Sequence, residues 1–392
     1  MRFKGRLCET GERVTVETRA GRIASIQPHA AAAADLDGDD LWLAPGFIDL
    51  QLNGYAGHDF NLDSWGDSVS ISHDLAPIFA AAAAAGTALL CPTIVTNSFE
   101  CMAASLRALA VAGEQDAALA RRVAGIHVEG PHIAREDGPR GAHPLEWVRE
   151  PDWDEFQRLQ EAAGGRIKLF SLAPELPGAL PFIARLTEAG VVVSIAHTAA
   201  EPETIRDAVL AGARLSTHLG NGAHAMIRRH PNYIWEQLAH DDLCASVIAD
   251  GHHLPASVLK TFVRAKGPER LCLVSDAVSL GGLSPGIYSE GRHEVLANGK
   301  VCLAGTPLLA GAGHLLDTGV AHAVRVTDLT LAQAVRSVTA IPARLLGLSD
   351  RKGRLAVGCD ADLTLFRLPA EGPLEIAATV VAGEVVFRGA QA

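Results

Sequence analysis

Eight short apolar runs alternate with helix-length segments between residues 45 and 350: FIDLQL, ALLCPTIV, VAGIHVE, IKLFSLA, VVVSIAH, ARLSTHL, CASVIAD and LCLVSDA. This alternation constrains the fold more than any other feature of the chain. Apolar runs of about four to eight residues fit strands buried on both faces. Stretches such as Glu203 to Ala211 and Ala256 to Ala265 fit the helices that carry the chain back across the sheet. Repeated strand–helix units build a parallel sheet, and eight of them predict an α/β fold of the closed (β/α)8 TIM-barrel type rather than an open, doubly wound sheet. Neither G-x-G-x-x-G after the first strand nor G-x-x-x-x-G-K-[ST] is present, which removes the main nucleotide-binding folds.

The two ends of the chain read differently. RVTVET, GRIASIQP and LWLAPG near the start, and GRLAVGCDADLTLF and TVVAGEVVFRG near the finish, are β-rich and broken by glycine and proline. Residues 1–44 and 351–392 are therefore expected to form one small β-sandwich domain, with a barrel domain of residues 45–350 inserted between its halves. A chain of 392 residues is long enough for both. AAAAADLDGDD, from Ala30, reads as a small-residue linker into the first barrel strand.

A hydrophobic fraction of 48% with 20% charged residues marks a globular chain rather than a disordered one. The net charge of −11, with no basic run longer than Arg228 to His230, speaks against a nucleic-acid partner. Its apolar stretches stop well short of the roughly eighteen residues of a membrane span, and MRFKGRLCETGERVTV has charges where a signal peptide is apolar. A soluble, cytoplasmic protein without a membrane partner is expected. The seven cysteines are odd in number and contain no Cys-x-x-Cys pair, so they are expected to be reduced core residues.

Sites in such barrels lie at the C-terminal ends of the strands. There the runs end in Gln51 and Asn53, Glu129, His197, His218, Asp250 and Asp276. Turn chemistry at a strand end favours Gly, Asn, Asp or Ser, so Glu and His are unexpected. Glu129, His197 and His218 supply one oxygen and two imidazole nitrogens, a set with which a divalent metal keeps one position open for water. One such histidine alone would be read as structural; three metal-capable residues ending strands three, five and six point to a metal. Asp276 could cap the next helix or, beside a metal, take a proton from water and deliver it to a leaving group. Gln51 and Asn53 point the same way from one strand. Without partners each buried amide would cost about 1 to 3 kcal/mol, so the pair needs a reason.

Taken in order, LAPGFIDLQLNG, GIHVEGPHI, RGAHP, SIAHTAA, STHL, IADGHH, LVSDA, LAGT and SVTAIPARLLGL resemble the N-acetylglucosamine-6-phosphate deacetylases of the amidohydrolase superfamily, over nearly the whole chain. The resemblance implies a metal-dependent barrel, usually in a homodimer, that hydrolyses the N-acetyl amide of an amino sugar phosphate. The expected reaction takes N-acetylglucosamine 6-phosphate to glucosamine 6-phosphate and acetate. It implies one divalent metal per subunit on Glu129, His197 and His218, zinc first, with iron or cobalt as alternatives. Asp276 matches the catalytic acid and base, His143 in RGAHP the residue beside the scissile amide, and His253 in ADGHH a sugar-binding residue. Many amidohydrolases carry His-x-His at the end of the first strand and hold a second metal there. Gln51-Leu52-Asn53 takes that place here, and neutral amides are poor ligands for a transition metal, so the second position is expected to be vacant.

The loop after His218, HLGNGAHAMIRRHPNYIW, departs from the family pattern: Gly220 replaces an aromatic residue, and Ala-Met is delayed to Ala225 and Met226. Counted forward without gaps, Arg229 falls on the family's phosphate-binding arginine. Asn221, Gly222, Arg228 and Arg229 are expected to contact substrate, with His224 and His230 adding positive charge. The departure leaves open an amidohydrolase for an unphosphorylated or different N-acyl amino sugar, or for an N-acyl amino acid. A barrel that serves only as a scaffold is the reading from another class. LAGTPLLAG, from Leu303, is assigned no ligand.

Overall fold

The computed structural model describes residues 1–28, 34–36, 38, 40–62 and 74–390. All eight apolar runs contain strands, and these form one parallel sheet in chain order. It runs from Phe47–Leu52 through Thr87–Val95, Ile126–Glu129, Ile167–Leu172, Val192–Ile195, Leu215–Ser216 and Cys244–Ile248 to Leu271–Val274. The first and last strands meet: Asp276 N donates to Gln51 O at 2.9 Å, and Leu52 bridges to Ala277, so the sheet closes on itself as a barrel. Closure explains the near-continuous apolar runs, since every residue of Phe47–Leu52 is buried.

The returning helices read as expected. Ala179–Glu188 buries Ala179, Phe182, Ile183 and Leu186, the i, i+3, i+4, i+7 spacing of one helical face. Trp153–Ala162 starts at Asp152, whose carboxylate accepts from the N–H groups of Asp154 and Glu155. Beyond Asp276 the chain enters a three-stranded antiparallel sheet, Gly286–Tyr288, His293–Val295 and Val301–Leu303, before helix Leu316–Val326. That helix has Leu315 at its N-cap, which disposes of the capping role for Asp276.

Both chain ends build one seven-stranded sheet, ordered Glu384–Arg388, Glu375–Val381, Leu363–Arg367, Trp42–Pro45, Arg2–Leu7, Arg13–Arg19, Arg22–Pro28. Trp42–Pro45 joins the two halves, parallel to Arg2–Leu7 and antiparallel to Leu363–Arg367. Ala30 to Ala33 of the small-residue linker lie outside the described residues. The sheet packs on the barrel through Phe366, whose ring meets that of Phe47 edge-on with centroids 5.9 Å apart. Thr364 Oγ1 and Thr379 Oγ1 donate to Gly86 O and Ala83 O at 2.8 and 2.7 Å. Phe366 is fully buried, so Phe366→Ala is expected to cost about 3 to 5 kcal/mol. Thermal unfolding checks this as a lowered midpoint.

The seven cysteines are all free; six are buried and Cys101 is partly so. Among the described residues no helix is long and apolar enough to cross a membrane.

Candidate active site

Glu129 closes the third strand, and His197, His218 and Asp276 each stand two residues past the end of the fifth, sixth and eighth strands. These last three share a backbone signature: φ is +48° at His197, +31° at His218 and +48° at Asp276. Residues with a Cβ rarely enter this left-handed region, at a cost of about 1 to 3 kcal/mol each. The turn swings each side chain off the strand direction and toward the barrel mouth. Neighbouring strands hold it there, through Asp276 N to Gln51 O at 2.9 Å and His218 N to Ser246 Oγ at 2.8 Å.

The side chains converge. His218 Nε2 lies 2.9 Å from Glu129 Oε1 and 3.2 Å from His197 Nε2, and His197 Nε2 lies 3.3 Å from Glu129 Oε1. Bonds of about 2.0 to 2.1 Å at tetrahedral angles put ligand atoms about 3.3 Å apart, so this triangle fits one face of such a site. His197 Nδ1 donates to Pro139 O at 2.7 Å, which leaves the Nε2 of a neutral ring with its lone pair facing the cluster. His143 joins from the side: its Nε2 is 3.1 Å from His197 Nε2, and Glu129, His143 and His197 all offer ligand atoms within 4.8 Å of one another. The structure thus gathers four candidate donors where three were expected. A buried site with one carboxylate and several imidazoles suits a divalent transition-metal ion.

Electrostatics agree with the geometry. Burial alone would raise the Glu129 carboxyl, but hydrogen bonds from His197 and His218 outweigh it and hold it well below the usual carboxylate range. Burial and then the Glu129 charge push Asp276 up to about 6. Burial takes His143 down to about 3, so its ring is neutral near pH 7.

Gln51 and Asn53 have their reason. Gln51 Nε2 donates to Glu129 Oε2 at 3.0 Å, and Asn53 Nδ2 donates to Asp276 Oδ1 at 2.8 Å. Each amide is the fixed partner of one site carboxylate, and both are buried.

The cavity above these groups has a volume of about 210 Å³ and is lined by Asn53, His143, Asn221, Gly222, His253 and Asp276 among others. Gly222 has φ +56°, and a Cβ there would lie 2.6 Å from His197 Nδ1, so only glycine lets the loop pass this close. Asn221 Nδ2 donates to His218 O at 3.2 Å. His253 Nδ1 pairs with Asp250 Oδ2 at 2.8 Å. Burial would raise Asp250, but the His253 ring and the backbone N–H groups of His253 and His252 bring it down to about 2. Not every expected residue arrives. Arg228 and Arg229 are exposed and outside the cavity lining; Asn232 Nδ2 holds their carbonyls at 2.9 and 3.3 Å. His224 is turned toward Glu136 at 3.0 Å, and His230 is exposed.

Thr96 and Asn61 line the cavity and were not anticipated. Thr96 was open to the same reading as the others, because it follows directly on the run ALLCPTIV. A hydroxyl at a strand end simply looks like ordinary turn chemistry.

A model of the amidohydrolase family matches residues 42–386. N-acetylglucosamine-6-phosphate deacetylase of Bos taurus is 36% identical over 357 residues, covering 88% of this chain and 83% of that one. The chain belongs to the N-acetylglucosamine-6-phosphate deacetylase branch of the amidohydrolase family. The deacetylase of Bacillus subtilis (strain 168) is 31% identical, covering 90% of this chain and 86% of its own length. Among solved structures, a mutant N-acetyl-D-glucosamine-6-phosphate deacetylase from Mycobacterium smegmatis, in complex with N-acetyl-D-glucosamine-6-phosphate, superposes with a TM-score of 0.85. It is 31% identical, and the match covers 98% of this chain and 99% of that one. Family membership accounts for a carboxylate and imidazoles meeting at the C-terminal rim of the barrel.

Proposed function

We propose that this chain hydrolyses the N-acetyl amide of N-acetylglucosamine 6-phosphate, releasing glucosamine 6-phosphate and acetate. The observation that carries the reading is the meeting of Glu129, His197 and His218 within 3.3 Å of one another, in a cavity that Asp276 and His143 also line. The relatives' names and the sugar phosphate in the mycobacterial complex supply the substrate class. A scaffold would have no use for three left-handed residues aimed at one point, and no feature of the cavity favours an N-acyl amino acid.

Glu129, His197 and His218 would hold one divalent ion, zinc, iron or cobalt by their donor types, whose chemistry when bound is Lewis acidity toward water and the amide carbonyl. Gln51 and Asn53 are committed to Glu129 and Asp276, which supports a single ion rather than a pair. Asp276 takes the proton from the attacking water on its free oxygen while Asn53 holds the other, then returns the proton to the departing amine nitrogen. His143 donates to the carbonyl oxygen as negative charge builds on it. His253, braced by Asp250, and the Asn221–Gly222 segment hold the sugar. Arg229, with Arg228, receives the phosphate from the cavity's outer edge, and their exposure requires the loop to close over bound substrate. A homodimer and a cytoplasmic setting complete the reading; sedimentation at twice the monomer mass checks the first.

The test is acetate release from N-acetylglucosamine with and without its 6-phosphate, with an N-acyl amino acid as control. Turnover of the phosphorylated sugar is expected to dominate; preference for the free sugar or for the amino acid would overturn the proposal. Arg229→Ala is expected to raise KM for the phosphorylated sugar about tenfold or more, the loss of one charge-assisted contact of about 1.5 to 3 kcal/mol. Turnover of the free sugar should not change. Steady-state kinetics on both substrates measure the difference.

A further inference from the structure

Both ring nitrogens of His143 have a close neighbour, Thr96 Oγ1 at Nδ1 and His197 Nε2 at Nε2, and Thr96 has no role assigned above. Pro139 O can only accept, so His197 Nδ1, 2.7 Å away, donates to it. A neutral His197, the form that can ligate a metal, then has a bare lone pair on Nε2. His143 Nε2 sits 3.1 Å from that nitrogen, with the rings edge to face at 73° and centroids 4.3 Å apart. A metal held by His197 takes up that lone pair, and the donor role given to His143 then requires hydrogen on its own Nε2. A neutral His143 must then accept at Nδ1, where the neighbour is Thr96 Oγ1 at 2.8 Å.

Thr96 has one hydroxyl proton and two acceptors in reach, His143 Nδ1 at 2.8 Å and Glu129 O at 3.5 Å. The shorter contact takes it. The surroundings are shaped for this hydroxyl: Thr96 is 1% exposed. Gly130 beside it has φ +78°, and a Cβ there would come within 2.1 Å of Thr96 Oγ1. The glycine of HVEGPH thus leaves room for the Thr96 hydroxyl.

We propose that Thr96 is a positioning residue that holds His143 as the tautomer with hydrogen on Nε2, so that the ring presents a donor to the scissile carbonyl. This rests on the role given to His143 in the deacetylation reading. With hydrogen on Nδ1 instead, the ring would present a lone pair to a carbonyl oxygen that is gaining negative charge. Thr96 also lines the cavity, and its part in the reaction is exerted through this ring.

The experiment uses the metal-loaded enzyme, with Thr96→Val to remove the donor at nearly constant shape and Thr96→Ser to restore it. Two-bond ¹⁵N–¹H correlation spectra of the wild type, with the His143 signal identified by its absence in His143→Gln, are expected to show hydrogen on Nε2. Thr96→Val should lose that tautomer, keep its metal content and KM, and turn over about tenfold to a hundredfold more slowly. Thr96→Ser should recover most of the rate. Hydrogen on Nδ1 or on both nitrogens in the wild type, wild-type turnover in Thr96→Val, or equal impairment of Thr96→Ser and Thr96→Val would each overturn the proposal. If the valine variant does not fold, the wild-type spectrum and the serine variant decide. A wild type that shows the tautomer but releases no acetate would refute the deacetylase reading and leave the hydrogen assignment standing.

Discussion

Asp276→Asn is expected to leave the fold and the metal content intact and to lower kcat by about three orders of magnitude, within the range for a lost general acid–base. The side chain is partly buried at the cavity wall, and Asn53 Nδ2 donates to its Oδ1 at 2.8 Å, a bond the amide oxygen of asparagine also accepts. Geometry survives the exchange; the ability to carry a proton does not. The carboxyl is well matched to that task, since burial and the Glu129 charge raise it to about 6, near the range in which a group both takes and returns a proton. Acetate release and metal analysis on the same preparation check the result. A variant turning over at the wild-type rate would remove Asp276 from the chemistry.

Glu129→Gln is expected to leave the purified chain with much less than one metal ion and little activity. Glu129 is the only anion in the donor triangle, and its Oε1 faces both His218 Nε2 and His197 Nε2. Without it two buried imidazoles face a neutral amide, and deleting one partner of a buried ionic cluster is strongly destabilising. A bound ion stabilises the folded state by mass action, so chelator should lower the melting temperature of the wild type and leave that of the variant unmoved. Gln51→Leu is the graded control: it removes only the donor on Glu129 Oε2, and its metal affinity should fall about tenfold to a hundredfold. Elemental analysis and calorimetric melts with and without chelator read both. Full metal occupancy in Glu129→Gln would exclude it as a ligand.

Much of this was legible along the chain. The barrel followed from the spacing of eight apolar runs, because a strand covered on both faces needs continuous hydrophobicity and a parallel partner needs a crossover helix. Glu129, His197, His218 and Asp276 stood out because the ends of those runs become one rim when the barrel closes, and their residue types are not those of turns. The partners were not legible. Asn53 and Asp276 are 223 residues apart, Gln51 and Glu129 are 78 apart with the strand Thr87–Val95 between theirs, and each pairing exists only because the closed barrel gathers its strand ends at one rim. The amides looked like either a packing defect or an empty ligand position, and they are hydrogen-bond donors to the two site carboxylates. Arg228 and Arg229 show the opposite outcome: charge and motif count pointed to the cavity, whereas the loop leaves them exposed.

The sequence alone therefore determines the architecture and the chemical inventory of the rim, since hydrophobic periodicity and residue type are local properties. The tertiary structure alone decides how that inventory is wired. It turns His197, His218 and Asp276 through left-handed backbone onto common ground. It gives Glu129 and Asp276 one amide donor each, and it places the Thr96 hydroxyl against His143 Nδ1 at 2.8 Å. Hydrogen bonds require contact at about 3 Å with defined direction, and distances of that kind between residues far apart in the chain arise only when the barrel closes.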